Sequence, residues 1–283
     1  MPEDEPRQPH SEFVASITIR ILRHAARYAD EAQPFLAHRA GPPTEQELLD
    51  SFNIHVESVL ASFDPPGIRR RGDSLVFAHI YDDAKDVPVR TEEDAAVEQL
   101  AALLAAEVEF RGPLRLSRTQ ATLLAEVYER LGDALTALGL HAHTVLSLRR
   151  AAFLHRQNEE LDAADRCGLR LARARCLTRP RGWHRVGPRL SDLLCGYGYQ
   201  PFRLLAWIAA QLILFAVVIL LFADGPVGET LYLSITSYLN PTGLGDTASL
   251  GEGGRAMLAV ESWAGTVSLS VFFALLVRRW FRL

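Results

Sequence analysis

Four consecutive residues, Gly243-Leu244-Gly245-Asp246, have types and spacing suited to holding a bare cation. Glycines at alternate positions permit positive φ, so successive backbone carbonyls can turn the same way toward an ion. Thr242 and Leu244 would add their carbonyls to those of Gly243 and Gly245. Asp246, just beyond, would raise the local cation concentration by its charge. Upstream, Ser234, Thr236 and Ser237 place hydroxyls on a short, moderately apolar stretch, 228–239. Downstream, Glu261 is the only charge in the apolar run 256–277. A carboxylate in the middle of a membrane helix costs roughly 2.5–3.5 kcal/mol on insertion scales, so it is expected to face protein. Gly265, ten residues after Arg255, suits either a backbone bend or the close packing of two helices.

Other chemistry is sparse. Cys167, Cys176 and Cys195 are odd in number and at no zinc-ligand spacing, so reduced thiols are expected. His141 and His143 are two residues apart on a helical stretch, point to different faces, and are expected to be surface side chains. No nucleophile, metal or phosphate motif stands out in residues 11–178, so neither an enzyme nor a cofactor is expected. The net charge of −4 argues against nucleic acid as a partner, and the arginine-rich usage, with Lys85 the only lysine, is read as composition.

The elements that would position the glycines are two long apolar runs. Residues 204–223 contain one polar residue, Gln211, and no charge. Each run reaches the roughly 20 residues that a helix needs to cross about 30 Å of hydrocarbon. Arg179, Arg181, Arg185, Arg189 and Arg203 precede the first, and Arg278, Arg279 and Arg282 follow the second. Arginine outside both ends of a hairpin places both termini in the cytoplasm of a two-span protein of the cell membrane. The stretch 228–239 is about 18 Å long as a helix, enough to dip halfway into the membrane, and Asn240-Pro241 stops it. Non-helical backbone at that depth is tolerated when buried in protein or lining water.

Before the hairpin, residues 1–10 read as a disordered tail and 11–178 as a soluble, mostly helical region. Ser11 could cap a helix carrying Phe13, Ile17, Ile21, Ala25 and Tyr28 at helical spacing. Thr44 and Glu47 form a capping box ahead of Leu48, Phe52 and Val56. Residues 74–81 are the best strand candidate, Thr91 to Asp94 cap a further helix, and helices follow at 117–138, 141–156 and 158–177. Tyr128, Leu131, Gly132, Gly139 and Ala151 fall at tetratricopeptide spacing without a second repeat, so one degenerate repeat unit and a plain helical bundle stand equal. Residues 179–200, with Trp183, Tyr197 and Tyr199 among the arginines, read as a linker on the membrane surface.

Residues 201–283 resemble the two-transmembrane pore domain of potassium channels. The resemblance rests on Ser234-Ile235-Thr236-Ser237 as a pore helix, on Gly243-Leu244-Gly245-Asp246 as the filter, and on Arg255, Glu261 and Gly265 in the second span. The joint 196–201, Gly-Tyr-Gly-Tyr-Gln-Pro, resembles bacterial channels with cytoplasmic repeat domains. The resemblance implies an all-α fold and a homotetramer conducting potassium or another monovalent cation, with the filter (Thr242 to Asp246) as its sole metal-binding element. Residues 11–178 would then sense or gate, through a protein or a small ligand. The family filter reads Thr-Val-Gly-Tyr-Gly, whereas this chain has Pro241-Thr242-Gly243-Leu244-Gly245, which implies weaker selectivity. The alternative is a membrane-anchored helical scaffold without conductance.

Overall fold

The computed structural model describes residues 12–37, 43–63, 74–85, 92–179, 182–222, 226–240 and 251–281. The chain divides into two compact units, Met1–Pro180 and Arg181–Leu283. The described residues form helices and turns, with no strand among them.

The first unit contains α1 (Glu12–Leu36), α2 (Glu45–Leu60), α3 (Ala78–Asp83), α4 (Glu92–Arg111), α5 (Arg118–Ala137), α6 (His141–Gln157) and α7 (Leu161–Thr178). Ile17, Ile21, Ala25 and Tyr28 of α1 are fully buried, as their helical spacing predicts. Thr44 caps α2: its hydroxyl accepts from the Glu47 amide while the Glu47 carboxylate accepts from the Thr44 amide. Ser11 and Thr91, the other expected caps, lie outside the described residues. The central helix is α4, which packs against α1, α2, α3 and α5. Leu100 to Ala106 are all buried, and a helix apolar all round belongs inside. After α4 the chain runs as successive helical hairpins, α5 against α6 and α6 against α7.

The strand expected over 74–81 is a turn leading into α3. A lone strand leaves its backbone groups unpaired, and no partner strand is present among the described residues. The Val76 amide instead donates to the Glu109 carboxylate at 2.8 Å. Leu75, Phe77, Ile80 and Tyr81 still reach the core, so the apolar signal was sound and only the period was misread.

Two buried glutamates of α4 hold the unit's polar interior. Glu109 accepts from Val76 and from the Tyr81 hydroxyl. Glu107, fully buried, receives both Arg150 (2.9 and 3.0 Å) and Arg111 (2.8 Å), and the Tyr128 hydroxyl at 3.0 Å. Burial first, and the Glu107 charge next, push the Tyr128 phenol far above its ordinary range. His143, expected at the surface, is buried: its Nε2 lies 2.6 Å from the Tyr28 hydroxyl, which itself donates to the Leu48 carbonyl.

In the second unit a 3-10 turn at Trp183–Arg185 leads into α8 (Val186–Cys195), a helix within the stretch read from sequence as a linker. Then come α9 (Pro201–Phe222), α10 (Val227–Leu239) and α11 (Glu252–Phe281). Both α9 and α11 are long and apolar enough to cross a membrane, over Pro201–Leu221 and Gly253–Arg278. Most of their residues are not buried within the chain: Ile213, Leu214, Leu221, Trp263 and Phe273 all stand exposed. That arrangement is compatible with a two-span membrane protein, whose apolar surface is covered by lipid or by other copies of the chain.

Candidate functional site

The short helix α10 packs against both long helices of its unit, α9 and α11. Pro226 precedes it in extended conformation, and Asn240 follows its last turn. Its inward stripe is Thr230, Ser234, Ser237 and Tyr238, all buried and spaced at helical intervals. Its outward face carries Tyr232, Ile235 and Leu239, all exposed. The helix therefore buries a stripe of hydroxyl-bearing side chains and leaves Ile235 and Leu239 exposed.

Two polar contacts fix that stripe. Ser234 Oγ donates to Glu261 Oε1 on α11 at 2.6 Å, and both side chains are fully buried. One turn onward, the Tyr238 hydroxyl donates to Gln211 Oε1 on α9 at 3.0 Å, and Ser268 Oγ of α11 donates to the same oxygen at 3.0 Å. Each of the three helices is thus tied to another by hydrogen bonds, and the Ser234–Glu261 bond is fully buried, where an unmade bond costs most. Glu261, expected to face protein, does so. Thr236 donates instead to the Tyr232 carbonyl of its own helix at 2.7 Å. The Ser237 hydroxyl and Glu261 Oε2 have no hydrogen-bond partner among the described residues.

Gly265 lies under the carbonyl end of α10. A β-carbon added there would overlap the Tyr238 carbonyl oxygen and sit 3.1 Å from its carbon. Of the two uses read from sequence, bend or close packing, the geometry supplies the close packing. Thr242, Gly243, Leu244, Gly245 and Asp246 lie outside the described residues.

Sequence reasoning missed the Gln211–Tyr238–Ser268 contact. Its signal was present, since Gln211 is the one polar residue of the first apolar run. The pairing was not legible because it joins residues 27 and 57 positions apart.

Two clefts stand out among the described residues of the first unit. One, of about 680 Å³, lies between Phe110 to Ala121 and Phe153 to Glu159. The other, of about 610 Å³, is lined by Arg111, Arg149, Arg150, Asn53 and the start of α2. Both fall in the size range of small-molecule sites.

No family model, curated protein or solved structure matches this chain.

Proposed function

We propose that the chain is one subunit of a potassium-channel-like cation pore, assembled as a tetramer in the cell membrane with both termini in the cytoplasm. The observation that carries this reading is α10: a 13-residue helix bonded through its polar stripe to both membrane-length helices. At about 20 Å it is too short to cross a membrane and fits a re-entrant pore helix. A connector that merely joined two anchors would need neither the buried hydroxyls nor Glu261. The carbonyl end of a half-membrane helix is partly negative and favours a cation near it. In sequence, Thr242 to Asp246 follow directly after that end. One hairpin cannot enclose a pore, so several copies must surround one, and the exposed apolar sides of α9, α10 and α11 supply surface for copies and lipid. The first unit, with its tetratricopeptide-like α5–α6 hairpin and two clefts, serves as the sensing or gating module.

The test is flux through purified protein in liposomes under potassium and then sodium gradients, with mass measurement in mild detergent. A tetramer that passes potassium, and loses the current in Gly245→Ala while still inserting, is the expected result. A monomer or dimer without flux would leave only a membrane anchor.

A further inference from the structure

The cysteines read from sequence as reduced thiols include one with company. Cys167 on α7, His155 on α6 and Glu129 on α5 converge, and one ligand atom from each lies within 4.8 Å of the other two. They come from three successive helices at positions 26 and 12 residues apart, so no spacing motif could have revealed them. Cys167 is fully buried and the His155 side chain is 4% exposed, while Glu129 at 24% gives an opening to solvent.

The groups behind these three are arranged as a metal site requires. His155 Nε2 faces Glu129 Oε1 at 2.8 Å, and its other nitrogen, Nδ1, lies 2.7 Å from Glu160 Oε2. Metal-binding histidines almost always donate that second N–H to a carboxylate or carbonyl, which fixes the ring and its tautomer. Glu160 is itself held, since the Thr122 hydroxyl donates to its other oxygen at 3.0 Å. Hydrogen bonding from His155 is the leading cause that keeps the Glu160 carboxyl below its ordinary range. Arg170 binds Glu129 Oε2 at 3.0 Å and also pairs with Asp133, which leaves Glu129 Oε1 for the imidazole.

We propose that Glu129, His155 and Cys167 bind one zinc ion, or a divalent transition metal of similar softness, with water as the fourth ligand. One thiolate, one imidazole and one carboxylate oxygen are zinc's ordinary donors, at about 2.3, 2.0–2.1 and 2.0–2.2 Å. Tetrahedral bonds of those lengths hold ligand atoms about 3.3–3.6 Å apart. The 2.8 Å pair therefore opens by about half an ångström to admit the ion. Without metal the thiol keeps its proton, because burial and then the Glu129 charge push Cys167 up to about 12. Binding forms the sulfur–metal bond with release of the thiol proton to solvent, and the Nε2–metal bond with release of the proton shared between Nε2 and Glu129 Oε1, while the second imidazole proton stays on Nδ1 toward Glu160. The ion would join α5, α6 and α7, the last three helices before the membrane unit.

The experiment uses the full chain in detergent, with any affinity tag removed, titrated with Co²⁺ as a spectroscopic substitute for zinc. One equivalent per chain should produce a thiolate-to-cobalt charge-transfer band and tetrahedral d–d bands, both displaced by Zn²⁺. The bands should survive in a Cys176→Ser, Cys195→Ser double variant and vanish in Cys167→Ser. Glu160→Gln should weaken affinity about 10- to 100-fold while keeping the spectrum. Absence of a charge-transfer band in the wild type overturns the proposal without reliance on any variant. So would a band that persists in Cys167→Ser; the cluster would then be only a hydrogen-bonded network.

Discussion

Replacing Gly265 by alanine is expected to part α10 from α11. The added β-carbon would overlap the Tyr238 carbonyl oxygen and lie 3.1 Å from both the carbonyl carbon and the ring Cγ of Tyr238. Carbon atoms in ordinary contact are about 3.5–4.0 Å apart, so the seam must open by about half an ångström or more. The main obstacle is backbone on one side and the helix itself on the other, so no rotamer change relieves it. Forcing a methyl group into a packed seam of this kind costs about 1–3 kcal/mol. The displaced group is the carbonyl end of α10, so flux in liposomes should fall together with stability. The matched control is Gly228→Ala in α10, where nothing lies within 4 Å of the added carbon. There the same change should be neutral or slightly stabilising, since glycine within a helix is about 0.5–1 kcal/mol worse than alanine. Unfolding in detergent, followed by tryptophan fluorescence, would compare the two. A Gly265→Ala protein as stable as Gly228→Ala would refute the packing argument. Altered gating at unchanged stability would favour the bend instead.

Three further outcomes follow from buried polar groups. Ser234→Ala removes the hydroxyl that Glu261 accepts from and should destabilise the second unit by about 1–3 kcal/mol, whereas Glu261→Gln, which keeps an acceptor for Ser234, should cost less; equal behaviour of the two in detergent unfolding would contradict this. Glu107→Ala leaves Arg150, Arg111 and Tyr128 without their shared acceptor and should cost about 3–5 kcal/mol, seen as an early loss of near-ultraviolet dichroism on heating; a wild-type melting curve would show that the cluster does not hold the unit together. Burial lowers the His143 pKa to about 4, so the unfolded chain binds a proton that the folded one refuses. Stability should therefore be full above about pH 6.5, decline as pH falls toward 4, and lose on the order of 3 kcal/mol across that window through this group. His143→Asn should flatten that part of the pH profile, and an unchanged slope would mean that other groups control it.

The sequence determined what needs only local pattern. Ile17, Ile21, Ala25 and Tyr28 repeat at the helical period, Thr44 and Glu47 carry a reciprocal cap, and each apolar run is long enough for a membrane. These features are written in consecutive residues, because a helix satisfies its own backbone and shows its buried face as a period. The two clearest misreadings mark where local pattern ends. Residues 74–81 carry apolar groups that suit a strand, but a strand requires a partner, and the backbone there is satisfied by Glu109 instead. His143 has the polarity of a surface residue, yet the fold buries it against Tyr28, 115 positions away. Tertiary structure alone decided which polar groups meet. Ser234 finds Glu261, Tyr238 finds Gln211, and Gly265 is placed beneath the end of α10. Glu129, His155 and Cys167 converge only because α5, α6 and α7 stack in succession. Side-chain types and their periods are properties of the chain, but a hydrogen bond or a ligand set is a distance in space, and between helices that distance is set by packing.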